Sequence, residues 1–339
     1  MRIVLDAMGS DAHPAPEIEA AAAAVLRWPE PLTLTGPEAI LRPLLDAQGV
    51  QAAQVLIVDA PEVLRMTDHP AESARDKAKS SMAVGIGLLR DGQADAFVTA
   101  GNTGGAMATA LLRLGRIRGV KRPALAALFP VRTGRAVVLD IGANAECRPE
   151  YLAQFAIMGS VYAHIALAVD RPRVGLLSNG EEAEKGSLLV KEAYPLVEQA
   201  GVNFVGNVES KEVYAGEVDV IVTDGFTGNI FLKTSEAVAR LLVDILRTEI
   251  RSGLVTSVGG LLAMPAFREV RRIMDPAEVG AVPLLGVDGL VFIGHGRSDG
   301  RAILNAIRGA REAVEAGLLD ALRGAIRERF RTSGEPATT

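Results

Sequence analysis

The chain has 339 residues, 49% hydrophobic, 23% charged and 4% aromatic, enough for about two domains or one large one at ~150 residues each, and unlike a disordered, collagen-like or disulfide-stapled chain. Its 36 basic and 41 acidic side chains leave a formal net charge of −5, which speaks against wholesale nucleic-acid binding. The single cysteine, Cys147, has no internal partner; there is no signal-peptide core and no run near the ~20 apolar residues of a membrane span, so a soluble cytoplasmic protein is expected.

In chain order, apolar runs bounded by turn residues predict buried strands at 2–8, 32–36, 54–60, 95–101, 136–142, 173–179, 203–208, 218–225 and 289–296. Helical patterns lie between them at 18–26, 103–114, 150–169, 185–199, 227–251 and 301–322, with a further helix starting near Ser80 and Ser81. This alternation predicts a multi-layer α/β fold around a mostly parallel central sheet. One domain over 1–331, divisible into two subdomains that share the sheet, is expected, with a disordered tail at 332–339.

Ligands of such sheets sit at the carboxyl ends of the strands. Six loops there are rich in Gly, Asn, Asp and Ser: DAMGSD (6–11), AGNTGG (100–105), DIGANAEC (140–147), SNGEEAEKG (178–186), DGFTGN (224–229) and GHGRSDG (294–300). Glycine admits close backbone approach, and helix N-termini bind anions. Common motifs are absent. There is no Gly-x-Gly-x-x-Gly and no Gly-x-Ser-x-Gly, and GEEAEKGS (180–187) places Lys185 before Gly186, the reverse of a phosphate-binding P-loop. The four histidines lack paired metal spacing, so no metal is expected. Cys147, in a glycine-rich loop, reads either as a thiolate nucleophile or as a small, partly buried side chain.

An anion site remains. RDKAKSSM (75–82) sets Arg75, Lys77 and Lys79 before Ser80 and Ser81 at a helix start, which reads as a phosphate cradle or an ordinary cap. With Lys79 and Ser81, the backbone of Gly101, Thr103 and Gly104 is the expected phosphate contact. Lys185 and Lys233 stand beside glycine-rich loops, where a mobile charge can reach an oxyanion.

The motifs DAMGSDAHP, KSSM, DAFVTAGNTGGAM, RPALAALFP, VVLDIGANAEC, FAIMGS, GEEAEKG, NFVGNVES, DVIVTDGFTGNIFLK, PLLGVDG and GHGRSDGRAILNAI follow one another over 2–331. In this order they resemble the bacterial phosphate acyltransferase family, PlsX. The resemblance implies a fold similar to phosphate acetyltransferases and isopropylmalate-type dehydrogenases. It implies transfer of the acyl group of acyl-[acyl-carrier protein] to inorganic phosphate, yielding acyl-phosphate for phospholipid synthesis. It also implies a homodimer without a cofactor, peripheral on the inner face of the plasma membrane, whose product passes to a membrane glycerol-3-phosphate acyltransferase. The chain departs from the family pattern at Ser10, where a second glycine is usual, at Ser178-Asn179-Gly180, and at Ile293-Gly294, where a lysine is usual before the histidine. The last departure leaves Arg297 or Arg301 as the cation of that loop.

Such chemistry needs no protein nucleophile, because the thioester is activated and phosphate attacks; the enzyme must hold phosphate, orient it and stabilise an oxyanion. Asn102 and Asn229, with the amides of their loops, suit the orienting and stabilising roles. Asp224, His295 or Asp140 can accept a proton or orient a donor, Asp140 equally well as a turn cap, and Lys185 completes the catalytic candidates. For an acidic carrier protein, Arg113, Arg116, Arg118, Lys121 and Arg122 form an acid-free basic segment. The region 237–274 reads as a hairpin whose apolar tip, including Leu254, Leu261 and Leu262, contacts a membrane or a second subunit, followed by Arg268, Arg271 and Arg272. The alternatives are a nicotinamide-dependent decarboxylating dehydrogenase, against which stands the lack of an Asp-x-x-x-Asp run at the end of 212–224, and a non-catalytic carrier-protein or acyl-phosphate binding module.

Overall fold

Eleven strands form one sheet in the computed structural model, which describes residues 1–333. They are β1 (Ile3–Asp6), β2 (Leu32–Gly36), β3 (Val55–Asp59), β4 (Ala96–Thr99), β5 (Ala124–Val131), β6 (Gly134–Leu139), β7 (Arg173–Leu177), β8 (Asn203–Val208), β9 (Val220–Val222), β10 (Ala281–Leu285) and β11 (Val291–Gly294). Their order is β3-β2-β1-β4-β11-β10-β5-β6-β9-β7-β8. Nine of them fall within or overlap the expected runs. The two additions, β5 and β10, stand side by side in the middle and make the antiparallel pairings with β11, with each other and with β6. Each carries a proline, which cannot donate to a ladder and argues locally against a strand. Pro130 and Pro283 lie outside the two paired positions of β10 and β5, so each has a ladder neighbour on one side only.

Three consecutive reversals set the parallel block β3-β2-β1-β4-β11 against the direction of β6-β9-β7-β8. The loops after β1, β4 and β11 therefore open at one edge of the sheet, and those after β6, β7 and β9 at the other.

Helices cover both faces, which is why the strands read as continuous apolar runs. Ile3, Leu5, Ala96, Val98, Val137, Leu139, Val220 and Val222 share a core with α1 (Ala15–Val25), α2 (Glu38–Ala47), α6 (Pro149–Leu167), α7 (Leu188–Glu198), α12 (Gly300–Glu315) and α13 (Leu318–Ser333). The intervening Val4, Phe97, Val291 and Ile293 pack with α4 (Ser81–Arg90) and α5 (Thr103–Arg113), while Val138 and Ile221 pack with α8 (Ser210–Ala215) and α9 (Gly225–Ile250). This alternation is the period of two expected of a pleated sheet. Ile141 touches both of these second-face clusters and joins them. The short α3 (Pro70–Asp76) lies against α5.

The expected helix 301–322 is broken at Gly317, whose φ of +66° is open to glycine and ends α12 before α13 starts. Of the expected tail, Thr332 and Ser333 close α13, and 334–339 lie outside the described residues. The expected hairpin at 237–274 is built of successive helices: α9 continues to Ile250, then, after short turns, come α10 (Leu254–Leu262) and α11 (Met264–Ile273). No helix among the described residues is long and apolar enough to cross a membrane.

Candidate active site

A cleft of about 430 Å³ opens where the loops after β1, β4 and β11 meet α9, lined by Asp11, Met66, Gly101, Thr103, Lys233, Gly294, His295, Gly296 and Arg297. One wall is the start of α5. Asn102 caps it, Oδ1 accepting from Gly105 N at 2.9 Å, while its Nδ2 donates to Met66 O at 3.0 Å and clamps the 62–69 loop. The Asn102 amide is thus engaged as a scaffold. The Gly101 N–H is also spent, donating to Thr99 Oγ1 at 2.9 Å. The N–H groups of Thr103 and Gly104, first in the helix, have no acceptor among the described residues and carry the positive end of its dipole.

The opposite wall holds His295. His295 is exposed at the mouth of the cleft, yet the partial loss of solvent there holds its pKa below the ordinary value, and the charges of Lys233 and Arg297 push it the same way against Glu236. Lys233 reaches it from α9, its ammonium 3.1 Å from Glu236. Arg297 lines the cleft, whereas Arg301 turns away to Asp275 and Glu278. The structure so separates the two arginines that the sequence left open.

Beneath the cleft the β1 and β4 loops interlock. Asp6, buried, accepts from Thr99 Oγ1 at 2.8 Å and from Met8 N at 3.1 Å. Burial raises its pKa, opposed by the hydroxyls of Ser81 and Thr99. Gly9 is required by contact: a Cβ there would stand 2.9 Å from both Gly101 N and Thr99 Oγ1. Ser81, buried, thus faces Asp6 rather than the cleft. Lys79 is exposed outside the cleft lining, its backbone N–H donating to Glu62, and Ser80 caps α4. Of the expected phosphate contacts, Gly101 and Thr103 line the cleft, whereas Lys79, Ser81 and Gly104 lie outside its lining. Lys77 pairs with Asp68 at 2.5 Å.

The loops after β6 and β9 form a second, adjoining group. Asp140 is fully buried and accepts from Leu125, Gly142, Ala143 and Asn144 backbone N–H groups and from Asn144 Nδ2, at 2.7–3.1 Å. It is the knot of its loop, as one of its two sequence readings has it. Asp224 caps α9 through Thr227 N at 2.9 Å and Thr227 Oγ1 at 2.7 Å. Asn229, exposed one turn before Lys233, faces Gly142. Burial, with Asp140 and Asp224 adding their charge, pushes the Cys147 thiol up to about 12, so it is no thiolate nucleophile. Lys185 lies exposed in the loop after β7, outside the cleft lining. Among the described residues no group of three or more His, Cys, Asp and Glu is placed to hold a metal ion.

Of the basic segment, Arg113 bends back to Ala78 O at 3.2 Å and Arg116 donates to Lys121 O, while Arg118, Lys121 and Arg122 lie exposed. In the arm α9–α11, Leu254, Leu261 and Leu262 are 88%, 69% and 78% exposed. Sequence reasoning did not single out Asp11 or Met66 in the lining. Asp11 belongs to one of the glycine-rich strand-end loops; nothing in the sequence marks Met66.

The sequence profile of the fatty acid synthesis protein family matches residues 1–320. A phosphate acyltransferase of Acidobacterium capsulatum is 48% identical over 318 residues, covering 93% of this chain and 94% of the relative. That of Elusimicrobium minutum is 44% identical over 329 residues, 97% and 96% of the two chains. Among solved structures, a phosphotransacetylase from Streptococcus pyogenes superposes with TM-score 0.64 at 17% identity, covering 93% of this chain and 94% of its own. A 4-hydroxythreonine-4-phosphate dehydrogenase from Klebsiella pneumoniae gives 0.51 at 15%, covering 93% and 99%; both likenesses concern the fold. The near-complete coverage and high identity of the named relatives settle the matter: this chain belongs to the phosphate acyltransferase family.

Proposed function

We propose that the cleft between the start of α5 and the 294–300 loop is where inorganic phosphate attacks the thioester of acyl-[acyl-carrier protein]. The observation that supports this reading is one concave site in which a histidine of lowered pKa, two cations and the unpaired helix-start amide of Thr103 converge. Lys233 and Arg297 hold the phosphate anion. The Thr103 amide stabilises the oxyanion as the phosphate oxygen bonds to the carbonyl carbon. His295 accepts the phosphate proton and returns it to the sulfur as the carbon–sulfur bond breaks, giving acyl-phosphate and the free carrier thiol. Asn229, Asp224 and Lys185 belong to the adjoining loops, where they suit the pantetheine arm of the donor. Replacing His295 by Gln should lower kcat for acyl-phosphate formation about 10²-fold or more, the usual scale of lost acid–base catalysis. Retention of wild-type kcat would remove the cleft from the reaction.

The exposed Arg116, Arg118, Lys121 and Arg122 suit docking of the acidic carrier. The arm α9–α11 suits shallow contact with an anionic membrane: its leucines are exposed, and Arg268, Arg271 and Arg272 follow on α11. Such contact would place a homodimeric enzyme beside the membrane glycerol-3-phosphate acyltransferase that takes its product. The family membership favours these readings over a dehydrogenase or a binding module.

A further inference from the structure

Glu17, in the first turn of α1, is 0% exposed and has no cation beside it. Its Oε1 accepts from the backbone N–H of Ser10 at 2.9 Å. Its Oε2 and the hydroxyl of Ser10, itself 2% exposed, are both buried with no other partner. A turn of the Ser10 hydroxyl proton toward Oε2 satisfies both. The segment fastened in this way is a wedge between the two walls of the cleft. On one side Gly9 lies against Gly101 N and Thr99 Oγ1. On the other the Asp11 N–H donates to Gly296 O at 2.7 Å, next to His295. Burying a carboxyl without a cation is unfavourable for folding alone.

We propose that Glu17 and Ser10 form a latch that positions His295 relative to the phosphate-facing start of α5, making Glu17 a positioning residue of the reaction. The proposal rests on the cleft being the phosphate site. It also gives a role to the serine that replaces the family's usual second glycine, which supplies the second hydrogen bond to Glu17. Without the latch, residues 9–11 relax, and the Gly296 carbonyl moves with them.

The test compares Glu17→Met, which keeps the bulk and removes both acceptors, with Glu17→Gln, which keeps an acceptor for Ser10 N–H. Both are assayed for phosphate KM, acyl-donor KM and kcat, alone and in a His295→Gln background. Glu17→Met should lower kcat/KM for phosphate at least 10-fold while acyl-donor KM stays within twofold, and Glu17→Gln should recover to within threefold of wild type. In the His295→Gln background Glu17→Met should cost less than twofold, because the latch acts through His295; a general structural defect would cost the same in both backgrounds. Equal cost in both backgrounds, full activity of Glu17→Met, or a Gln variant as poor as the Met variant overturns the latch. If Glu17→Met is insoluble, Ser10→Ala carries the same cycle, with a threefold or larger fall in kcat expected and an unchanged kcat overturning the proposal. Full activity of His295→Gln alone refutes the cleft assignment instead, so the two failures are distinct.

Discussion

Asp140 offers the sharpest separation of scaffold from chemistry. Its Oδ1 accepts three backbone N–H groups and its Oδ2 accepts the Asn144 N–H at 2.7 Å and Asn144 Nδ2 at 2.9 Å. In Asp140→Asn the new NH2 must take the Oδ2 side, where it meets two donors. Asn144 Nδ2 retains Pro123 O at 2.7 Å, so one backbone N–H and the new amide are left unsatisfied in a buried site. At about 1–3 kcal/mol for each orphaned group, less what is regained by burying a neutral amide instead of a charge, the expected loss is about 3 kcal/mol. Asp140→Ala strands four backbone donors and, at the same scale, removes most of a typical folding free energy of about 5–15 kcal/mol; that variant should be insoluble. Urea unfolding followed by circular dichroism reads the first value, and acyl-phosphate formation well below the transition should show the folded Asn variant with kcat within threefold of wild type. A variant of wild-type stability that has lost activity would make Asp140 a reacting group and refute the knot.

The acid limb of the kcat/KM profile should lie below pH 6.5, because His295 is a base whose pKa is lowered, and activity should rise with pH through that limb. Lys233→Ala withdraws one of the causes, so the limb should move to higher pH; a shift to lower pH, or none, contradicts the pairing. Cys147 should resist iodoacetamide at pH 8 in the folded enzyme and react on unfolding, as monitored by mass spectrometry, and activity should survive the treatment. Leu261→Glu with Leu262→Glu should abolish sedimentation with anionic liposomes and leave an active dimer; dissociation to monomers would assign the α10 surface to the subunit contact instead.

What the sequence made legible is what one element decides alone. Nine strands showed as apolar runs because helices cover both faces, and the loops at their ends showed as glycine and asparagine because backbones approach there. β5 and β10 stayed hidden because their proline and alanine content speaks against strands locally, while their pairing depends on β6 and β11, and β5 meets β10 only across a long stretch of chain. The reversal of sheet direction hung on those two strands, and with it the division of the six loops between two edges. The site was therefore legible as a set of loops and not as a set of partners. Lys79 and Ser81 had the composition of an anion cradle, but composition does not reveal that the hydroxyl turns inward to Asp6. Asn102, Asp140 and Asp224 show the deeper limit, since the side chains that cap helices and knot loops are also those that donate and accept in catalysis. Only their neighbours decide between the roles. His295, Lys233 and Arg297 come together from the β11 loop and α9, about sixty residues apart in the chain, and a histidine of lowered pKa between two cations exists only once α9 runs across from the other edge of the sheet to the β11 loop.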